Sequence, residues 1–105
     1  MPCTVVFTPE ALHQLESLYR YVAAAASPDI ALRYTEAIVK YCEGLCSFPH
    51  RGARRDDVRP ELRITNYKKR AVIAFDVGQE CVSVIGVFYG GQDYETVLQS
   101  DFDDD

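Results

Sequence analysis

Two short signals constrain this chain more than anything else in it. Thr8-Pro9-Glu10 is answered nineteen residues later by Ser27-Pro28-Asp29. Each sets a hydroxyl at a helix N-cap, a proline at the first helical position, and an acid in the first turn, where the helix dipole favours negative charge. The first helix is predicted from about Pro9 to Ala25, with Leu12, Leu15, Leu18, Tyr19 and Val22 on one face and His13, Glu16, Ser17 and Arg20 opposite. The second is predicted from about Pro28 to Cys46, burying Ala31, Leu32, Thr35, Ile38, Val39, Cys42 and Leu45, with Tyr34 at the margin. So short a connection forces the two to lie antiparallel as a hairpin.

Strand patterns flank the hairpin. Cys3 to Phe7 is β-branched and apolar and reads as a first strand whose place and direction the pattern leaves open. Ser47 to Gly52 ends the second helix, and the polar stretch to Pro60 reads as a loop. Three strands follow with no helix between them: Glu61 to Asn66, Arg70 to Val77, and the most apolar, Cys81 to Phe88. Val77-Gly78-Gln79-Glu80 joins the last two as a tight hairpin turn, so these strands form an antiparallel meander. The order is β-α-α-β-β-β, an α+β fold with an antiparallel helical hairpin packed on one face of an antiparallel sheet. One domain over residues 1–100 is expected, followed by an acidic tail, Asp101-Phe102-Asp103-Asp104-Asp105.

With 105 residues, 48% hydrophobic and 26% charged, the chain can bury one core and is not a disordered segment. Its longest apolar run, Tyr21 to Ala26, is far short of the roughly 20 residues that span a bilayer. MPCTVVF has neither the positive charge nor the apolar core of a secretory signal, so a cytoplasmic protein is expected. In a reducing compartment Cys3, Cys42, Cys46 and Cys81 read as small buried hydrophobes. The alternative is a metal site on Cys42, Cys46 and His50, spaced by four along one helical face; Pro49 and the want of a fourth ligand weigh against it, and no metal is expected.

The formal net charge of −5 is unevenly spread. Residues 51–70 carry eight of the eleven Lys and Arg against three acids, a local net of +5, and the other 85 residues sum to −10. Such a basic patch on an acidic body suits phosphate or an acidic protein segment, and equally a solvated loop with one strand face.

Several stretches, taken in order, are familiar: Phe7-Thr8-Pro9-Glu10-Ala11, Ala31-Leu32-Arg33-Tyr34, Phe48-Pro49 with Gly52, Arg59-Pro60-Glu61-Leu62-Arg63, and Tyr67 to Val77. In these the chain resembles the RelE/ParE superfamily of toxins from bacterial type II toxin–antitoxin modules, nearer its ParE branch. It departs from the family at the end of the last strand. Where a His-x-x-Arg-Asp run is common, this chain has Tyr89-Gly90-Gly91-Gln92-Asp93. Cleaving RNA at a 2′-hydroxyl needs a proton acceptor, a proton donor and cations for the developing phosphorane. Glutamine supplies no charge, and tyrosine, with a pKa near 10, is a poor base at neutral pH.

The resemblance therefore implies a toxin that acts by binding, with DNA gyrase as target, and a cognate antitoxin that lies along the groove between hairpin and sheet in a toxin–antitoxin hetero-oligomer. It implies no cofactor, no membrane partner and no direct nucleic-acid binding. Arg54, Arg55, Arg59, Arg63, Lys68, Lys69 and Arg70 are the candidates for meeting the antitoxin; Tyr89, Gly90, Gly91, Gln92, Asp93 and Tyr94 are the candidates for meeting the target. The alternative is a ribosome-dependent mRNA interferase, with Arg63, Arg70 and Tyr89 gathered on one sheet face. As a plain strand residue, Arg63 would instead pair with Asp56 or Glu61.

Overall fold

Thr8 and Ser27 act as the sequence demands. Thr8 Oγ1 accepts the Ala11 N–H at 3.1 Å and Ser27 Oγ accepts the Ile30 N–H at 3.2 Å, each ahead of a proline that has no N–H to leave unpaired. The computed structural model describes residues 3–48, 50–68, 71–78 and 81–89. Within them, α1 spans Pro9–Ala25 and α2 spans Pro28–Glu43, joined through Ala26 and Ser27. The second helix stops short of the expected end. Gly44–Cys46 tightens into a 3₁₀ turn, with the Gly44 N–H turned toward the carbonyls of Lys40, Tyr41 and Cys42.

Five strands form one sheet: β1 (Thr4–Phe7), β2 (Ala53–Arg54), β3 (Arg63–Tyr67), β4 (Ala71–Val77) and β5 (Cys81–Tyr89), in the order β1-β5-β4-β3-β2. The meander of the last three is antiparallel, and its second turn is closed by the Gly78 N–H on Cys81 O at 2.8 Å. The sheet as a whole is mixed, because β1 lies on the outer edge of β5 and runs parallel to it, from Thr4 opposite Cys81 to Phe7 opposite Val84. Two-residue β2, on the far edge of β3, is too short and too polar to leave a periodic trace.

A bulge in β5 decides which side chains meet the helices. Ala74 pairs with Gly86 but Phe75 pairs with Val84, leaving Ile85 extra. Val82, Val84, Val87 and Tyr89 consequently join the helix-facing side, whereas Phe88 turns to the other. Helix α1 secures the bulge where β1 has ended. The Thr8 N–H donates to Val84 O at 3.0 Å, the Thr8 hydroxyl donates to Ile85 O at 3.1 Å, and Gln14 Oε1 accepts the Val87 N–H at 2.7 Å. A Cβ on Gly86 would stand 2.5 Å from the Phe88 ring and 3.3 Å from Gln14 Oε1, so a larger residue here would have to displace the Phe88 ring.

Two apolar clusters result. The larger lies between hairpin and sheet and centres on Leu18, Ile38, Leu45, Ile73, Phe75 and Val84, each worth about 1.5–3 kcal/mol in apolar burial. The smaller packs Val58 and Leu62 from the polar loop onto Ile64, Ala74 and Phe88 across the opposite face. Leu12 and Leu32, expected in the core, are 55% and 51% exposed, while Ala11 and Ala31 are fully buried. The expected faces otherwise hold, with Leu15 and Leu18 of α1 and Ala31, Ile38 and Cys42 of α2 buried, but each is narrower than expected, so that backbones approach through alanine and one leucine of each helix stays outside.

The cysteines also depart from expectation. Cys3 and Cys46 are joined in a disulfide that ties the start of β1 to the end of the 3₁₀ turn, with their Cα atoms 5.7 Å apart. A sequence separation of 43 gives no hint of that proximity. The bond occupies the central ligand of the Cys42–Cys46–His50 alternative. Cys42 remains a buried thiol, pushed up to about 12 by burial first and by Glu43 second, and so is inert at neutral pH.

Candidate partner-binding surfaces

The basic stretch does not form one patch. Arg54 binds Asp56 through two hydrogen bonds of 3.0 and 2.9 Å, and Arg55 binds Asp57 in the same way at 3.0 and 2.9 Å. The Arg54 guanidinium, and then the Glu61 N–H at 2.7 Å, hold the Asp56 carboxyl below the ordinary carboxylate range; Arg55 does the same for Asp57. In return Asp56 raises Arg54. These arginines, at the end of β2 and just after it, are locally neutralised by their own aspartates, which reduces what they can offer a partner. Arg59 is half-buried in the same loop.

Arg63 lies elsewhere and has an unexpected neighbour. Its guanidinium donates to His50 O at 3.0 Å and approaches His50 Nδ1 at 3.3 Å, instead of pairing with Asp56 or Glu61. On β3 it stands opposite Phe75, while Tyr89 stands opposite Ala71, which is itself opposite Tyr67. Four residues along the strand and two strands across place Arg63 and Tyr89 about 16 Å apart on one face of the sheet. Tyr89 packs against Tyr21 of α1, ring centres 5.4 Å apart and tilted by 40°. Arg63 and Tyr89 are thus not brought into one catalytic constellation. Lys69, Arg70, Gly90, Gly91, Gln92, Asp93 and Tyr94 lie outside the described residues.

What the fold does assemble is a seam of cations and aromatic rings between α2 and β3. Tyr34 and Tyr41, two helical turns apart on α2, both approach Tyr67 of β3, with ring centres at 6.1 and 5.3 Å. The hydroxyl of Tyr41 is hydrogen-bonded to Thr65 Oγ1 at 3.0 Å, fixing the ring. Arg51 lies 5.1 Å from the centre of Tyr41 and 5.2 Å from that of Phe48, and Lys68 Nζ lies 5.5 Å from the centre of Tyr67. Lys68 adopts φ 51°, a left-handed conformation that turns the chain at the end of β3. A hollow of about 490 Å³ opens at each end of the seam, one bounded by Ile30, Arg33, Tyr34, Ala37, Tyr67 and Lys68, the other by Ser47, Phe48, His50 and Arg51. Among the described lining residues there is no carboxylate. Charge counting picked out Lys68 but not this arrangement; the sevenfold spacing of Tyr34 and Tyr41 was the available signal.

A larger groove of about 810 Å³ crosses the hairpin. Leu15, Tyr19, Leu32 and Val39 give it apolar walls, and Glu16, Arg33, Glu36 and Lys40 a rim of both signs. A stripe of this kind suits the apolar face of an amphipathic helix. No described helix is long and apolar enough to cross a membrane.

The family model described as "ParE toxin of type II toxin-antitoxin system, parDE" matches residues 5–94. Among solved structures the chain is similar to one described as "Chromosomal ParDE TA system from P. aeruginosa", with TM-score 0.72 at 19% identity, over 83% of this chain and 95% of that one. A search of the curated proteins finds no match.

Proposed function

Since the chain belongs to the ParE toxin family of type II toxin–antitoxin systems, we propose that it arrests growth by binding DNA gyrase and is silenced by a cognate antitoxin laid across its helical hairpin. The observation that carries the antitoxin reading is the hairpin groove, whose floor includes Leu32 at 51% exposure. An apolar side chain of that size gains by coverage, and the mixed rim charges set register more than affinity. The separation of Arg63 from Tyr89 supports a toxin that grips a protein over one that cuts RNA, since phosphoryl transfer needs its groups within hydrogen-bond reach of one phosphate.

Two assays test the reading. Purified chain added to gyrase, ATP and supercoiled plasmid is expected to accumulate enzyme-linked broken DNA, while mRNA on translating ribosomes stays intact. Cleaved transcripts with unperturbed gyrase would establish the interferase alternative in its place. For the antitoxin, the product of a short reading frame adjacent to this one is expected to bind the wild type and to bind Leu32→Glu at least tenfold more weakly, a loss of about 1.4 kcal/mol or more. Unchanged affinity would move the antitoxin off the hairpin.

A further inference from the structure

We propose that the antitoxin reaches beyond the helical hairpin, and that an extended acidic segment of it, carboxylates alternating with apolar side chains, lies along the seam between α2 and β3. The inference rests on the antitoxin reading given above and adds a second contact to it. Arg33 and Ala37 border both the hairpin groove and the hollow at the Tyr34 end of the seam. A chain leaving the groove therefore crosses α2 where Ala37 offers only a methyl group, and enters the seam directly.

Charge on the seam is unmatched. Arg54 and Arg55 hold Asp56 and Asp57, whereas Arg51 and Lys68 stand over the rings of Tyr41 and Tyr67, and among the described residues neither is salt-bridged to a carboxylate. A cation above a ring still turns N–H groups outward, so both can take a carboxylate. On a chain of net charge −5 such a seam steers an acidic segment to itself while the rest of the surface turns it away. The rings favour peptide over nucleic acid. Tyr41 and Tyr67 are half-buried against the core and each carries a cation over its ring, which leaves little bare face for a base to stack on. Apolar side chains need no such face, and the hollows of about 490 Å³ at the two ends admit them. Tyr34 and Tyr41 stand about 10 Å apart along α2, the length of about three extended residues.

The product of the short adjacent reading frame is the probe, titrated against the wild type, Leu32→Glu, and the double variant Arg51→Glu with Lys68→Glu. The double variant, with native circular dichroism, is expected to bind about tenfold more weakly. That difference should shrink to about twofold in 1 M salt, where the Debye length is about 3 Å, and Arg51→Lys with Lys68→Arg, which keeps both charges, should bind like the wild type. Weakening in Leu32→Glu alone would overturn the inference and leave the hairpin reading standing; weakening in the double variant alone would do the reverse. A product that binds none of the three overturns both. A loss that ignores salt, or that persists in the charge-keeping variant, would also overturn the inference, because it would trace to packing. So would a single-stranded oligonucleotide that binds the wild type alone and is released by the double variant, since the seam would then belong to nucleic acid.

Discussion

Asp76 on β4 is half-buried beneath the polar loop, on the sheet face away from the helices. Burial is the main cause that raises its carboxyl above the ordinary range; Glu61 adds to this and Arg59 opposes it. A carboxyl that holds its proton more tightly folded than unfolded lends stability as pH falls through its folded value and costs stability above it. Asp76→Asn is therefore expected to raise the urea midpoint at pH 7, with the gain fading as pH drops toward the ordinary value of about 4. A midpoint unchanged at pH 7 would remove the burial cost. Gly52 is a second site of local constraint: at φ 81° it takes a left-handed conformation, and a Cβ there would run into the carbonyl oxygen of Ile64. Gly52→Ala should cost about 1–3 kcal/mol in thermal melts, since backbone cannot move aside as a side-chain tip can. Residue-scale features with a local cause were legible beforehand, as the caps at Thr8 and Ser27 and the turn at Gly52 illustrate. Arg63 was not, because its partner His50 sits across a turn whose path no short-range pattern dictates.

At the scale of elements, the β5 bulge is the most informative departure. The run CVSVIGVF is apolar at nearly every position, so its parity cannot be read, and one extra residue sends Tyr89 and Phe88 to opposite faces from those that strict alternation gives. Helix α1 stabilises that arrangement through Gln14. Gln14→Ala leaves the Val87 N–H without its acceptor at a part-buried site and should lower stability by about 1–3 kcal/mol. Hydrogen exchange at Val87 is expected to quicken by more than at Ile73 in the middle of β4; equal change at both would mean the bulge does not depend on the glutamine. Helix limits were legible to within a few residues because capping is local. The parallel placement of β1 was not, because its partner lies 77 residues away.

Over the whole molecule, one covalent link joins what sequence keeps apart. Closing 43 residues of chain with Cys3–Cys46 should stabilise the fold by up to about 4 kcal/mol through the unfolded state. Cys3→Ser is expected to melt where the reduced wild type melts and to ignore added reductant, whereas Cys42→Ser should retain the response. A wild type whose melting reductant does not shift would deny the bond any role in stability. Family and layer architecture were legible in the chain, since they follow from hairpin and meander order; the seam was not, as its rings come from a helix and a strand that only tertiary packing brings together. The sheet also dictates when the protein can exist at all. Its first strand rests on its last, with Thr4 beside Cys81, and that last strand lies between β1 and β4. A ribosome making this chain therefore carries an incomplete sheet until β5 emerges, and the core beneath the hairpin closes only once Cys81–Tyr89 has been made. Premature release anywhere before Cys81 would yield a harmless fragment.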